Sequence, residues 1–222
     1  GMDARVHHAY DWTMYTVFSL WDTFRALHPL LSITDRRRTQ DFARSMVAKG
    51  REAKVLPVWE LAANETWCMI GYHSVPVLVD AYLKGINDFN AGEALTLMKR
   101  GATADRYGLF EYMKHGYIPG ESESESVSKT LEYAYDDWCI AAFARAMERD
   151  DEARIFEKRA QSWKNLLDPA TGFMRARVNG NWALPFDPTA VTSHYTEANS
   201  WQYSFFVPHD IIGLIAAHGG EQ

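Results

Sequence analysis

Four stretches of the chain set tryptophan beside carboxylate or amide side chains. They are Trp21-Asp22 with Arg25, Trp59-Glu60 with Asn64-Glu65-Thr66-Trp67, Glu132 ahead of Trp138, and Glu197 with Asn199, Trp201 and Gln202. Proteins hold sugars with this pairing. The aromatic face covers the apolar C–H face of the ring, while carboxylates and amides take the hydroxyls in bidentate fashion. Taken singly, each stretch reads as a buried tryptophan beside a helix-capping acid; four of them in one helical chain point to a carbohydrate site.

Hydrolysis of a glycosidic bond needs two carboxyl groups, one protonated for the leaving oxygen and one ionised to activate water or attack carbon. The protonated one must be buried against apolar or aromatic surface. In "ESESESVSKTLEYAYDDW" (121–138), Glu132 has Leu131 and Tyr133 beside it and Tyr135 at i+3. It is the preferred acid, with Glu60 second. Glu121, Glu123 and Glu125 precede the helix among serines, where they face water and the positive end of its dipole, and they read as cap and entry loop.

The elements that must position these groups are helical almost throughout. Apolar spacing predicts helices over 12–28, stopped by His28-Pro29, and from Thr34 or Asp35 to Lys49, with Gly50 as its end. Further helices are expected near 65–84, kinked or divided at Pro76, and over 90–100, 105–115, 126–149 and 150–166. Asn179-Gly180 signals a small hairpin, and two short helices follow at 198–206 and 208–217. This is an all-α pattern of packed antiparallel hairpins with a small β-hairpin insertion, without βαβ rhythm.

Composition excludes other classes. The chain has 222 residues, 47% of them hydrophobic and 14% aromatic, too apolar for disorder. A net charge of −6 excludes a phosphate-backbone binder, and Arg36-Arg37-Arg38 beside Asp35 and Asp41 reads as a solvated helix start. No stretch reaches the roughly 20 apolar residues of a membrane span. Cys68 and Cys139 sit in apolar helical patterns and read as buried thiols. Gly1 before Met2 reads as a cleavage scar from an expression tag, so localisation is not legible at this end.

The blocks "YTVFSLWDTFRALHPLL" (15–31), "LPVWELAANETWCMIGYHSVPVLVDAYLKG" (56–85), "SVSKTLEYAYDDWCIA" (126–141) and "YTEANSWQYSFFVPHD" (195–210) resemble signature blocks of the glycoside hydrolase family 92 α-mannosidases, in family order. The resemblance implies an (α/α)6-barrel catalytic domain preceded by a β-sandwich. It also implies calcium-dependent, exo-acting, inverting hydrolysis of α-mannosides of N-glycans or mannans, by a secreted, periplasmic or cell-surface enzyme. Carried over by position, Glu132 matches the segment of the general acid, and Trp21, Asp22, Arg25 and Glu60 match sugar-contacting positions. Glu197, Asn199 and Asp210 match the block associated with Ca²⁺, whose preference for oxygen ligands they suit. His194 is taken as a sugar contact.

The chain departs from the family where the general base is expected. No Gly-Asn/Asp-Glu-Asp-Cys-Gly-like block followed by "QMSAWY" occurs. Residues 1–222 are therefore expected to be part of one helical domain, with the sandwich and the last barrel helices absent and contacts to both expected. The alternative reading is a glycan-binding or scaffold domain without catalysis.

Overall fold

Helices make up about half of residues 1–220, the part of the chain that the computed structural model describes. Among these residues strands occur only as three two-stranded antiparallel pairs. The chain forms two compact units, one of Gly1–Ala102 with Cys139–Ile155, the other of Thr103–Trp138 with Phe156 onward.

The first unit opens with 19 residues that are not helical. The N–H groups of Thr13, Tyr15 and Val17 donate to Asp41 Oδ2 (3.2 Å), Ser45 Oγ (2.9 Å) and Glu60 Oε1 (2.8 Å). Donors on alternate residues thus find side-chain acceptors, and an irregular run replaces the first part of the helix expected over 12–28. Helix starts only at α1 (Leu20–Thr23) and α2 (Leu27–Thr34). His28-Pro29 does not stop a helix. Pro29 lies in the first turn of α2, where its missing N–H has no helical partner to lose.

α3 (Arg36–Ala53) is capped by Asp35, whose side chain accepts from Arg38 N (3.0 Å). It runs past the expected end at Lys49. Gly50 stays inside the helix, at a place where a Cβ would stand 2.7 Å from Leu97 Cδ1 and 2.9 Å from Leu56 Cδ2. The helix ends instead at Lys54, in left-handed conformation.

β1 (Glu60–Leu61) and β2 (Asn64–Glu65) form a hairpin where helix was expected from residue 65. Ala62 and Ala63 close it at φ of 50° and 60°, a conformation alanine rarely takes, so no Asn-Gly signal marks the turn. α4 (Ser74–Leu83) follows as one helix, with Pro76 in its first turn. Cys68 is exposed in the irregular segment between them, against expectation, while Cys139 is buried. α3 packs on α2, α4 and α5 (Ala91–Ala102).

In the second unit, α6 (Leu109–His115) precedes α7 (Ser126–Ala146), which continues into the first unit from Cys139. α8 (Asp150–Arg159) runs on into a 3-10 helix over Ala160–Asn165. β3 (Leu167–Asp168) pairs with β4 (Phe173–Met174), and β5 (Arg177–Val178) with β6 (Asn181–Trp182). Asn179 and Gly180, at φ of 50° and 78°, make the expected turn of the second pair. α9 (Ser200–Tyr203) and α10 (Ile211–Ala217) are shorter than the spacing predicts. Val127, Leu131, Trp163, Leu166, Met174, Tyr195, Tyr203 and Val207 form the apolar centre of this unit.

His28 supplies a pH test of the first unit. Its ring is buried, edge-on to Phe42 at 5.3 Å, and burial lowers its pKa to about 4. The unfolded chain then binds this proton first as pH falls from about 6.5. Stability is complete above that value and falls by roughly 3 kcal/mol down to about pH 4. Urea titrations across this range should show that loss, and His28→Phe should flatten it.

Candidate active site

Seven polar or charged residues of α7 have lost their water: Ser126, Ser128, Lys129, Thr130, Glu132, Asp136 and Asp137. Charged groups in such a position require partners. Asp137 Oδ2 accepts from Arg159 Nε (2.8 Å) and from Tyr112 Oη (2.9 Å). Burial, and after it the Asp137 charge, raise the Tyr112 phenol well above its ordinary pKa, so it serves as a donor. Lys129 Nζ donates to Glu123 (2.6 Å) and lies 3.6 Å from Glu125. The Ser-Glu run is therefore more than a cap, because two of its glutamates neutralise a buried lysine.

Glu132 is held differently. Its Oε1 accepts from Tyr203 Oη at 3.0 Å, with both residues buried. Tyr203 belongs to α9, and its ring lies between Tyr195 and Phe206. Further along α7, Tyr135 stands edge-on to Phe206, and Trp138 lies at 6.4 Å from His209. Glu132 thus accepts from a phenol, and Tyr135 and Trp138 follow it along the same helix. Asp137 is instead committed to an arginine.

The segment before α9 docks on the first turn of α7. Ser193 and His194 carbonyls accept from Glu125 N (2.6 Å) and Val127 N (3.1 Å), and Thr196 N donates to Ser128 Oγ (2.9 Å). His194 Nδ1 is 3.4 Å from Ser126 Oγ, and burial lowers its pKa. Glu125 and Glu197, both at positive φ, flank this seam; non-glycine residues hold such strain where the surroundings over-determine them. The Glu197 side chain is exposed.

Asn199 Oδ1 caps α9 by accepting from Gln202 N (3.2 Å), in a capping box with the Gln202 side chain. Asp210 Oδ1 caps α10 by accepting from Gly213 N (3.0 Å). The three residues expected at calcium therefore include two helix caps. They are oxygen donors of the right chemistry, and the two cap bonds run through Asn199 Oδ1 and Asp210 Oδ1.

In the first unit, α1 carries Trp21 and Asp22, and Arg25 follows its C-cap residue Phe24. Arg25 Nε donates to Trp21 O (3.0 Å) and its guanidinium lies over the Trp21 and Phe24 rings, at 4.8 and 4.7 Å, while Asp22 is exposed. Glu60 is buried, ion-paired with buried Lys49 and bound by Val17 N. Across the hairpin Glu65 faces it, and its carboxylate accepts from the N–H groups of Val58, Trp59 and Trp67 at 2.8–2.9 Å. Lys49 and Glu60 line a cavity of about 670 Å³ with Trp12, Met14 and Val17. The structure thus joins Glu60 to Lys49 in one unit and Glu132 to Tyr203 in the other. Sequence reasoning missed Lys49, Lys129, Arg159 and Tyr203. The only signal for them was that so many acids on apolar helices demand donors.

The catalytic-domain profile of glycosyl hydrolase family 92 matches residues 1–222. The chain belongs to glycosyl hydrolase family 92. This family 92 chain is similar to a GH92 α-mannosidase of Bacteroides thetaiotaomicron, at 44% identity and a TM-score of 0.94 over 99% of its length. A structure of that enzyme with mannoimidazole matches at 43% identity and the same TM-score. A GH92 inverting mannosidase of B. thetaiotaomicron VPI-5482 matches at 38% identity and a TM-score of 0.90 over 95% of the chain. A protein of Arthroderma benhamiae described as an uncharacterized secreted glycosidase is 26% identical over 207 residues, 74% of the chain. The chain spans 30% of each of these solved chains and 26% of the fungal relative. No helix among the described residues is long and apolar enough to cross a membrane.

The buried ion pair of the family 92 chain gives a direct test. Lys49→Met should leave Glu60 charged and unpaired, at a cost of about 3–5 kcal/mol. Lys49→Met with Glu60→Leu should recover most of it. Denaturant midpoints of the two variants check this, and equal losses would show that Lys49 contributes through packing alone.

Proposed function

We propose that the complete protein carrying this chain is an exo-acting, inverting, calcium-dependent α-mannosidase of N-glycans or mannans. The observation that carries this is likeness to the α-mannosidase of B. thetaiotaomicron over 99% of the chain at 44% identity. The mannoimidazole complex of that enzyme supports a mannose-type ligand, and the inverting relative supports inversion. The fungal secreted relative supports export from the cell. The expected architecture is an (α/α)6 barrel completed by further helices and preceded by a β-sandwich.

In this reading Glu132 donates its proton to the leaving glycosidic oxygen as the C–O bond breaks. Trp21 covers the apolar face of a sugar ring, and Asp22, Arg25, Glu60 and His194 take hydroxyls. Among these, Asp22 is the one exposed carboxylate, whereas Glu60 reaches a sugar only from beside Lys49. Glu197, Asn199 and Asp210 would hold Ca²⁺, with water or other parts of the protein completing its 6–8 oxygens. When bound, calcium supplies positive charge that orients sugar hydroxyls. The carboxylate that activates water, roughly 6.5–9.5 Å from the acid, falls outside residues 1–222.

Glu132→Gln in the complete protein should lower turnover of mannobiose by roughly 10²-fold or more, and of an activated aryl α-mannoside far less, because that leaving group needs little protonation. Equal losses on both would remove Glu132 from the acid role. A chelator should abolish activity and added Ca²⁺ restore it. Binding of mannosides without turnover by the complete protein would support the glycan-binding reading instead.

A further inference from the structure

We propose that Tyr203 is a positioning residue of the acid, holding the Glu132 carboxyl in one orientation through the phenol hydrogen bond to Oε1. The inference rests on the reading of Glu132 as the acid.

The geometry is specific. Tyr203 Oη donates to Glu132 Oε1 at 3.0 Å across 71 residues of sequence, and neither residue is solvated. The same bond stops the carboxyl rotating about its terminal torsion, a soft two-fold rotor when unrestrained. Tyr203 can hold this position because it is itself fixed. Its ring packs with Tyr195 and Phe206, and α9 is anchored by the Asn199–Gln202 capping box and by Ser200 Oγ donating to Met174 O (2.7 Å). The acid's orientation is thus set by the segment next to the seam at 193–196, and not by α7 alone.

The phenol also biases protonation. A hydrogen bond donated to a carboxylate favours its charged form, so loss of the hydroxyl lets Glu132 keep its proton to higher pH. In an enzyme whose acid must be protonated, the alkaline limb of kcat/KM reports that group.

The test uses Tyr203→Phe in the complete enzyme, which removes the hydroxyl and keeps the ring. Tyr195→Phe is the control. It deletes a phenol in the same apolar centre, one that donates to a backbone carbonyl (Met174 O, 2.8 Å) and not to Glu132. Tyr203→Phe should lower kcat on mannobiose roughly tenfold, with KM little changed and a much smaller loss on an activated aryl mannoside. Its alkaline limb should move upward by up to about one pH unit. Tyr195→Phe should share any loss of thermal stability but neither the leaving-group dependence nor the shifted limb. If Tyr203→Phe behaves as Tyr195→Phe does while Glu132→Gln keeps its leaving-group signature, the positioning role is overturned and the acid assignment stands. If Glu132→Gln loses that signature, the acid assignment falls and this inference with it.

Discussion

Charge without water on α7 is the constraint that organises the second unit. A helix carrying Lys129, Glu132, Asp136 and Asp137 in the interior is tolerable only if other segments come to it with donors and counter-charges. Arg159 and Tyr112 come to Asp137, Glu123 and Glu125 to Lys129, and Tyr203 to Glu132. Each of these partners also closes part of the fold. The end of α8, the entry loop of α7 and helix α9 are placed by the need to satisfy one helix. Removal of a partner would leave a buried charge or dipole unmatched, and this ties the integrity of the unit to its polar interior as much as to its apolar centre.

The buried carboxylates meet different partners. Asp137 meets a guanidinium, an arrangement that favours a permanent anion. Glu132 accepts from the Tyr203 phenol. In the first unit Glu60 is neutralised by Lys49, and Glu65 opposite it is satisfied by three backbone N–H groups. Two glutamates directly across a hairpin would repel each other in isolation; their separate partners remove that conflict. The segment from Ala62 to Met69 holds Ala62, Ala63, Trp67 and Met69 at positive φ, and the Glu65 clamp at its centre offsets part of that strain.

The chain belongs to glycosyl hydrolase family 92. The Trp-rich blocks that carry the likeness hold the exposed and half-buried aromatic surface of Trp21, Trp138 and Trp201. Trp163, outside those blocks, is fully buried in the apolar centre of its unit. Aromatic residues that keep exposed surface can meet a sugar, whereas one closed in on all sides contributes only packing.

The sequence by itself determined the helices whose starts are written in local chemistry. Asp35 ahead of α3, the acid-first order of α8 and the Asn179-Gly180 turn all act within four residues, so spacing and caps reveal them. The Trp–acid blocks and Glu132 were legible for the same reason, because residue type and spacing are local properties. Tertiary structure decided the rest. Residues 12–19 are apolar enough for helix, yet their N–H groups go to Asp41, Ser45 and Glu60. Gly50 looks like a helix end until Leu97 occupies the space its side chain would need. The partners of the buried charges lie as far apart as 71 residues. No periodicity records such a pairing, because it is set by which segments close over each other once the chain has collapsed.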